Sequence, residues 1–272
     1  MIAAIRAEVL KLTTTRLWWI LALILVGYVG FIAALLAGVF GALGDQLAAQ
    51  PDAPQLPAEA IGPVVYSSVT AIGYVFPLIL GTLAVTAEVR YQTLTPTFLA
   101  EPKRGRVLAA KLLVLAVAGA LYGVAGLVAS MGLGAPILAA TGSDAGLGDS
   151  DTWALAGRIV LAMALWAVIG VGLGSLIQNQ IAAIIVVLAF TQFVEPILRF
   201  GSSIWEWTAS VGRFLPGSAS DALVGSSFFT SFGMGGGGAA PLDWWQGGLV
   251  LLAIALLVSI IGYLTAWRRD IT

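Results

Sequence analysis

Of 272 residues, 59% are hydrophobic and only 10% charged, and the net charge is −1. A soluble domain carries about 25% charged residues and at this size keeps roughly a quarter of its extended-chain surface wet. The composition therefore excludes an ordinary soluble fold and asks for a bilayer, where helices satisfy their own backbone groups and lipid faces the apolar side chains. There is no Cys and no His, which excludes disulfides, thiolate nucleophiles, Ser-His-Asp triads and imidazole ligands or relays. No G-x-x-x-x-G-K-[ST] phosphate loop occurs either.

In chain order, Ile2, Ile5, Val9 and Leu12 recur at helical spacing, with Arg6, Glu8 and Lys11 elsewhere on the wheel. Residues 1–16 are thus read as an amphipathic helix in the membrane interface. Thr13-Thr14-Thr15 offers a cap where the chain turns inward. Residues 17–44 are then uncharged, longer than the roughly 7–15 residues of a signal peptide's apolar region and long enough for a span of about 20.

Further uncharged stretches cover 60–87, 112–143, 159–194 and 244–267. As one helix, 159–194 would measure about 54 Å at about 1.5 Å per residue, against a hydrocarbon core of about 30 Å. Its middle holds Gln178-Asn179-Gln180, so two helices with a tight turn are expected there. The prediction is a single all-α transmembrane domain over 1–272, with six spans at about 17–40, 63–86, 111–138, 156–177, 181–199 and 246–267. Residues 87–110 form a cytoplasmic loop and 200–245 an outer segment, partly re-entrant.

Charge placement agrees. Six spans put Arg6, Lys11, Arg16, Arg90, Lys103, Arg104, Arg106, Lys111, Arg268 and Arg269 on one side, ten of the thirteen basic residues. That bias makes it the cytoplasmic side. Trp18-Trp19, Trp244-Trp245 and Trp267 read as interface anchors.

The outer loop at 45–62, with Pro51, Pro54 and Pro57, reads as irregular, and 142–151 as a turn. The segment 199–243 carries Trp205, Trp207, Phe214, Leu215, Phe228, Phe229 and Phe232, with a flexible break at 235–238. Such composition suits short helices that dip into the outer leaflet or cover the bundle. Glu195 and Arg199 are four apart and share a helix face. They read either as an ion pair that eases both charges through the outer interface or as a substrate contact.

The loop at 87–111 is dense in charge yet holds Leu94, Phe98 and Leu99, which could form one face of a short helix between Pro96 and Pro102. Its sequence Glu88-x-Arg90-x-x-Thr93-Leu94, then Pro102-x-Arg104 and Lys111, resembles the loop between the second and third helices of ABC-2 type transporter permeases. The start at Lys11-Leu12-Thr13-Thr14-Thr15-Arg16 and the Leu215-Pro216 pair followed by Ala219 and Leu223 are similar to that family as well. One departure is Gln92, where many members have Gly.

The resemblance implies a bacterial cytoplasmic-membrane permease subunit with both termini inside. It would pair with a second copy or a paralogue and with separate ATPase subunits that bind ATP and Mg²⁺, holding no cofactor of its own and touching lipids but no nucleic acid. It implies a coupling helix that meets the ATPase, for which Glu88, Arg90, Thr93, Leu94, Phe98, Pro102 and Arg104 are the candidates. It also implies a cavity lined by the second and fifth helices, which offer Thr70, Tyr74, Thr191, Gln192 and Phe193, with Pro77 as a possible kink. Such polar residues equally serve as helix–helix glue. Mid-span regions without charge point to an amphipathic or lipophilic cargo, exported by alternating access. The competing readings are an ion-gradient-driven secondary transporter, which would ordinarily place an ionisable group near the midplane, and a membrane scaffold that recruits a cytoplasmic complex.

Overall fold

A computed structural model describes residues 1–48, 57–202, 206–226 and 242–267. The expectations for Pro51, Pro54, Trp205, Phe228, Phe229, Phe232, the glycines at 235–238, Arg268 and Arg269 fall outside the described residues, as do the side chains of Trp207 and Trp267. Among the described residues every regular element is a helix, and six are long and apolar enough to cross a membrane: Leu17–Ala42, Glu59–Arg90, Arg104–Ala140, Ser150–Leu176, Gln180–Gly201 and Trp244–Thr265.

Helix α1 (Ile2–Thr14) precedes the first span. The hydroxyls of Thr13, Thr14 and Thr15 donate back to the carbonyls of Val9, Leu10 and Leu12, so they close α1 rather than cap its successor. Helix α2 (Leu17–Ala48) forms the first span. The second span is broken into α3 (Ala58–Ala71) and α4 (Val75–Arg90). Pro77 has no N–H to give the carbonyl of Gly73 and its ring crowds that carbonyl, so the helix opens over Ile72-Gly73-Tyr74 and restarts.

Helix α5 (Leu94–Ala100) follows α4, and α6 (Arg104–Ala140) then makes the third span. Helix α7 (Ser150–Leu176) makes the fourth. The long uncharged stretch divides where its amides predict. Helix α7 ends at Leu176, and the Asn179 side chain caps α8 (Gln180–Ala189) by accepting from the N–H groups of Ile181 and Ala182 at 3.0 and 3.1 Å.

The fifth span continues through a wide π-helical turn (Phe190–Val194) into α9 (Glu195–Ser202). Helices α10 (Glu206–Gly212) and α11 (Pro216–Val224) follow. Helix α12 (Trp244–Gly262), opened by an Asp243–Gln246 capping box, forms the last span with a π-helical turn at Tyr263–Trp267.

Small residues decide how these helices pack. The α4–α7 contact is the most extensive, and at Gly81 and Gly170 the two backbones lie so close that any Cβ would strike main-chain atoms of the other helix. A Cβ at Gly119 of α6 would lie 2.5 Å from the Met163 carbonyl oxygen of α7, and one at Gly247 of α12 would lie 2.5 Å from that of Ala219 on α11. Close backbone approach of this kind replaces the hydrophobic driving force that is missing between helices in lipid. The second span is the centre of the bundle, 78% of its core buried, whereas the first, fifth and sixth are only 33%, 22% and 28% buried and turn most of their surface outward. Gly105 at the start of α6 lies against the Tyr263 ring, which brings the end of the last span to the same end of the bundle as α1.

Candidate functional site

Two groups of polar side chains stand out, one at the basic end of the second span and one beside its mid-span break. At the basic end, Lys111 is 1% exposed and sits between two carboxylates. Its ammonium donates to Glu8 of α1, to Glu88 Oε1 at 3.0 Å and to the Ala84 carbonyl at 3.3 Å. Lys11 donates to Glu8 Oε1 at 2.8 Å, to Glu88 Oε1 at 2.7 Å and to Thr97 Oγ1 of α5 at 3.4 Å. Two cations and two carboxylates thus fasten α1, α4, α5 and α6 together. Burial alone would lower the Lys11 ammonium, but hydrogen bonds and charge from Glu8 and Glu88 outweigh it and hold its pKa above the usual lysine value.

The chain leaves α4 through a Schellman turn. The N–H of Thr93 donates to the Glu88 carbonyl at 2.9 Å and that of Gln92 to the Val89 carbonyl at 3.2 Å. Gln92 occupies the left-handed position with φ 54°, which a glycine adopts without a Cβ penalty. The position that departs from the family's usual Gly is therefore one whose backbone asks for it. Beyond the turn, Leu94 and Phe98 are half-buried, while Leu99 is 80% exposed. Leu99 does not share the apolar face proposed for it, because a step of one residue turns it about 100° away.

The Arg104 guanidinium lies 5.1 Å from the centre of the Phe98 ring. Arg90 donates to Gln180 Oε1 at 3.1 Å, linking the second span to the start of the fifth. Thr93 and Pro102 are exposed. Glu88 is the exception among the seven loop candidates: at 6% exposure it faces the cluster, not a partner.

The other group surrounds a cavity of about 350 Å³ beside the break in the second span. It draws together Thr70, Tyr74, Thr191, Gln192, Glu195 and Arg199, residues that sequence reading had treated as a substrate path and a separate outer ion pair. Phe193 is 67% exposed and stays outside it. Arg199 Nη2 meets Glu195 Oε1 at 3.1 Å and its Nη1 meets Asp221 Oδ2 of α11 at 2.7 Å. The Gly217 N–H also donates to Glu195. Tyr74 donates to the Thr191 carbonyl at 3.3 Å, and its ring centre lies 4.4 Å from that of Trp166, whose indole donates to Ser220 at 3.1 Å.

The pair is buried within the protein, with Glu195 2% and Arg199 9% exposed, and has more partners than the two residues alone would give. Trp166, Ser220 and Asp221 were not anticipated. Their contribution depends on α11 folding back onto α7 and α12, which no local pattern announces.

Six spans around a glycine-packed core, with a polar cavity beside a broken helix and a charged loop with a short helix at one end, define a polytopic membrane protein of the transport kind. The chain belongs to the ABC-2 family of transporter proteins, whose family model matches residues 4–194. No curated protein matches it. Members of this family are membrane transport subunits, and membership implies ATPase partners.

Proposed function

We propose that the chain is the permease subunit of an ATP-driven exporter of an amphipathic or lipophilic compound. It works in a bacterial cytoplasmic membrane with both termini inside, as a dimer with a second copy or paralogue. ATP and Mg²⁺ bind the separate ATPase subunits. The excess of Lys and Arg at the end carrying α1, α5 and Arg104 supports this orientation.

The observation that carries the reading is the rigid tie between α5 and the second span. Closure of the ATPases pushes on the loop that carries α5, through Arg90 at the end of α4, Thr93, Leu99 on α5, Pro102, and Arg104 at the start of α6. The Schellman turn and the Lys11–Thr97 contact pass that push to α4, and Glu88 acts from behind by anchoring α4 to α1 and α6. Helix α4 ends at the break beside the cavity, so a tilt of α4 changes access there. Alternating access needs two packings of this kind, each favoured by one nucleotide state.

Reversing Arg104 to Glu tests the reading. The variant should insert normally yet lose co-purified ATPase and ATP-driven export. Undiminished export by R104E would defeat the role given to α5. Glu195 in the cavity would also suit an ion-coupled transporter. Export that continues in ATP-depleted vesicles under an imposed ion gradient would favour that alternative.

A further inference from the structure

Helix α1 is sided against the usual sense. The arc that faces the bundle has the buried Glu8 at its centre, with Ile5 and Leu12 packed on the core beside it. The opposite arc carries Ile2, Arg6, Val9, Leu10 and Thr13, all exposed, with Ile2 at 74% and Leu10 at 64%. The four apolar residues read at helical spacing therefore divide, Ile5 and Leu12 inward and Ile2 and Val9 outward. A surface helix of a soluble protein would turn its charges out and its apolar residues in. Here the acid is inside, three large apolar side chains are outside, and a guanidinium stands among them.

The neighbouring chain says what covers this arc. Through Arg16 it leads into Leu17, Trp18, Trp19 and Ile20, the exposed opening of the first span. The outward surface of a span meets lipid, and tryptophans at its end mark the headgroup level. Two residues, Thr15 and Arg16, separate α1 from that level.

The cations on this side are uncompensated. Glu8 is the single acid of α1, and it is engaged with Lys11 and Lys111. Among the described residues, Arg6 and Arg16 make no ion pair and no hydrogen bond through their side chains. A phosphate layer over acyl chains answers both features in one surface, since guanidinium groups reach phosphate while apolar neighbours enter the chains. A zwitterionic headgroup brings a cation of its own to the site, whereas an acidic one does not.

We propose that the outer arc of α1 is a docking surface for acidic phospholipid of the inner leaflet, with Arg6 and Arg16 on the headgroup phosphates. The leaflet rests on the orientation proposed above; the docking does not. Glu8 and Lys11 fasten the other side of α1 to α4, α5 and α6, so the bound lipid braces the end of the bundle that carries the charged loop.

The chain has no native cysteine, so Val9→Cys places one environment-sensitive fluorophore on the outer arc, a turn from Arg6. The full chain is reconstituted in phosphatidylcholine vesicles that carry a small fraction of spin-labelled phosphatidylglycerol or, in parallel, the same fraction of spin-labelled phosphatidylcholine. The lipid-borne labels should quench the fluorophore, and aqueous iodide should not. Labelled phosphatidylglycerol should be enriched at the site about fivefold or more over labelled phosphatidylcholine, the preference that one cation at a membrane surface provides. Arg6→Gln should reduce that preference, and Arg6→Gln combined with Arg16→Gln should abolish it. Both side chains are exposed, so neither substitution disturbs the packing of the fold.

Quenching by iodide and not by lipid would place the arc in water or against a soluble partner and overturn the proposal. So would equal quenching by the two lipids with both arginines in place, or a preference that the double substitution leaves intact. None of these outcomes touches the ATPase partnership, which the R104E experiment tests separately.

Discussion

The two buried charge groups differ in how many helices they tie and in their surroundings. At the basic end, Glu8, Lys11, Glu88 and Lys111 balance two against two and fasten four helices. At the cavity, Arg199 bridges Glu195 and Asp221 and so joins α9 to α11. A balanced, filled cluster serves architecture, since each charge is the reason its neighbour can be buried. A bridge at a cavity wall ties fewer helices and is packed from one side only.

The sharpest way to break this comparison is to delete the central cation of the balanced group. Lys111→Met leaves two buried carboxylates, Glu8 and Glu88, to share the half-exposed Lys11 and should cost about 3–5 kcal/mol. It should appear as loss of the monodisperse protein in detergent. Arg199→Met should cost less, because Arg199 and Asp221 keep 10% and 12% of their side-chain surface exposed, against 2% for Lys111. Reversal of that order would refute the distinction.

Next come the paired carboxylates. Glu88→Gln removes one of two balancing charges and should lower the thermal midpoint in micelles. Glu195→Gln keeps an acceptor for Arg199 and Gly217 and leaves Arg199 its Asp221 partner, so it should lower the midpoint less than Glu88→Gln does. Equal destabilisation by both would mean that the cavity cluster is architectural too.

A smaller effect is expected at the turn. Gln92→Gly relieves a left-handed strain worth about 1–2 kcal/mol but frees the unfolded chain, for a net change within about 1 kcal/mol towards stability. Chemical denaturation in mixed micelles would read it.

The smallest belongs to Lys11, whose side chain is 36% exposed. Lys11→Met should cost less than about 1 kcal/mol. Its folded pKa is raised above the model-peptide value of 10.5, so its contribution is complete below pH 10.5 and fades as pH climbs through the folded value. Protease accessibility of α1 in the wild type should therefore increase only in that alkaline range.

Much of the architecture was legible in the chain because it is local. Six spans followed from apolar length, and the division of 159–194 followed from Gln178-Asn179-Gln180, where Asn179 does cap the new helix. Pro77 marked the break in the second span. The short helix between the second and third spans forms at Leu94–Ala100, two residues ahead of its expected start at Pro96. What escaped is long-range. Glu8 and Lys111 are 103 residues apart, so nothing in either neighbourhood says that they meet, or that Glu88 turns inward to join them. Arg199 and Asp221 meet only because α11 folds back. One signal was present and unused: the small-residue spacings Gly119-x-x-x-Gly123 and Gly170-x-x-x-Gly174, which mark the faces where α6 and α4 pack on α7.

The central claim is that α5 is the surface that meets the ATPase and that the cavity lies away from it. The chain has no native cysteine, so a single Cys at position 99 or position 193 reports on one surface at a time. Each can carry a photo-activated crosslinker in membranes that contain the ATPase. Leu99 on α5 and Phe193 on the fifth span are both exposed, at 80% and 67%. The account predicts a crosslink to the ATPase from position 99 and none from position 193. A crosslink from 193 with none from 99 would contradict it.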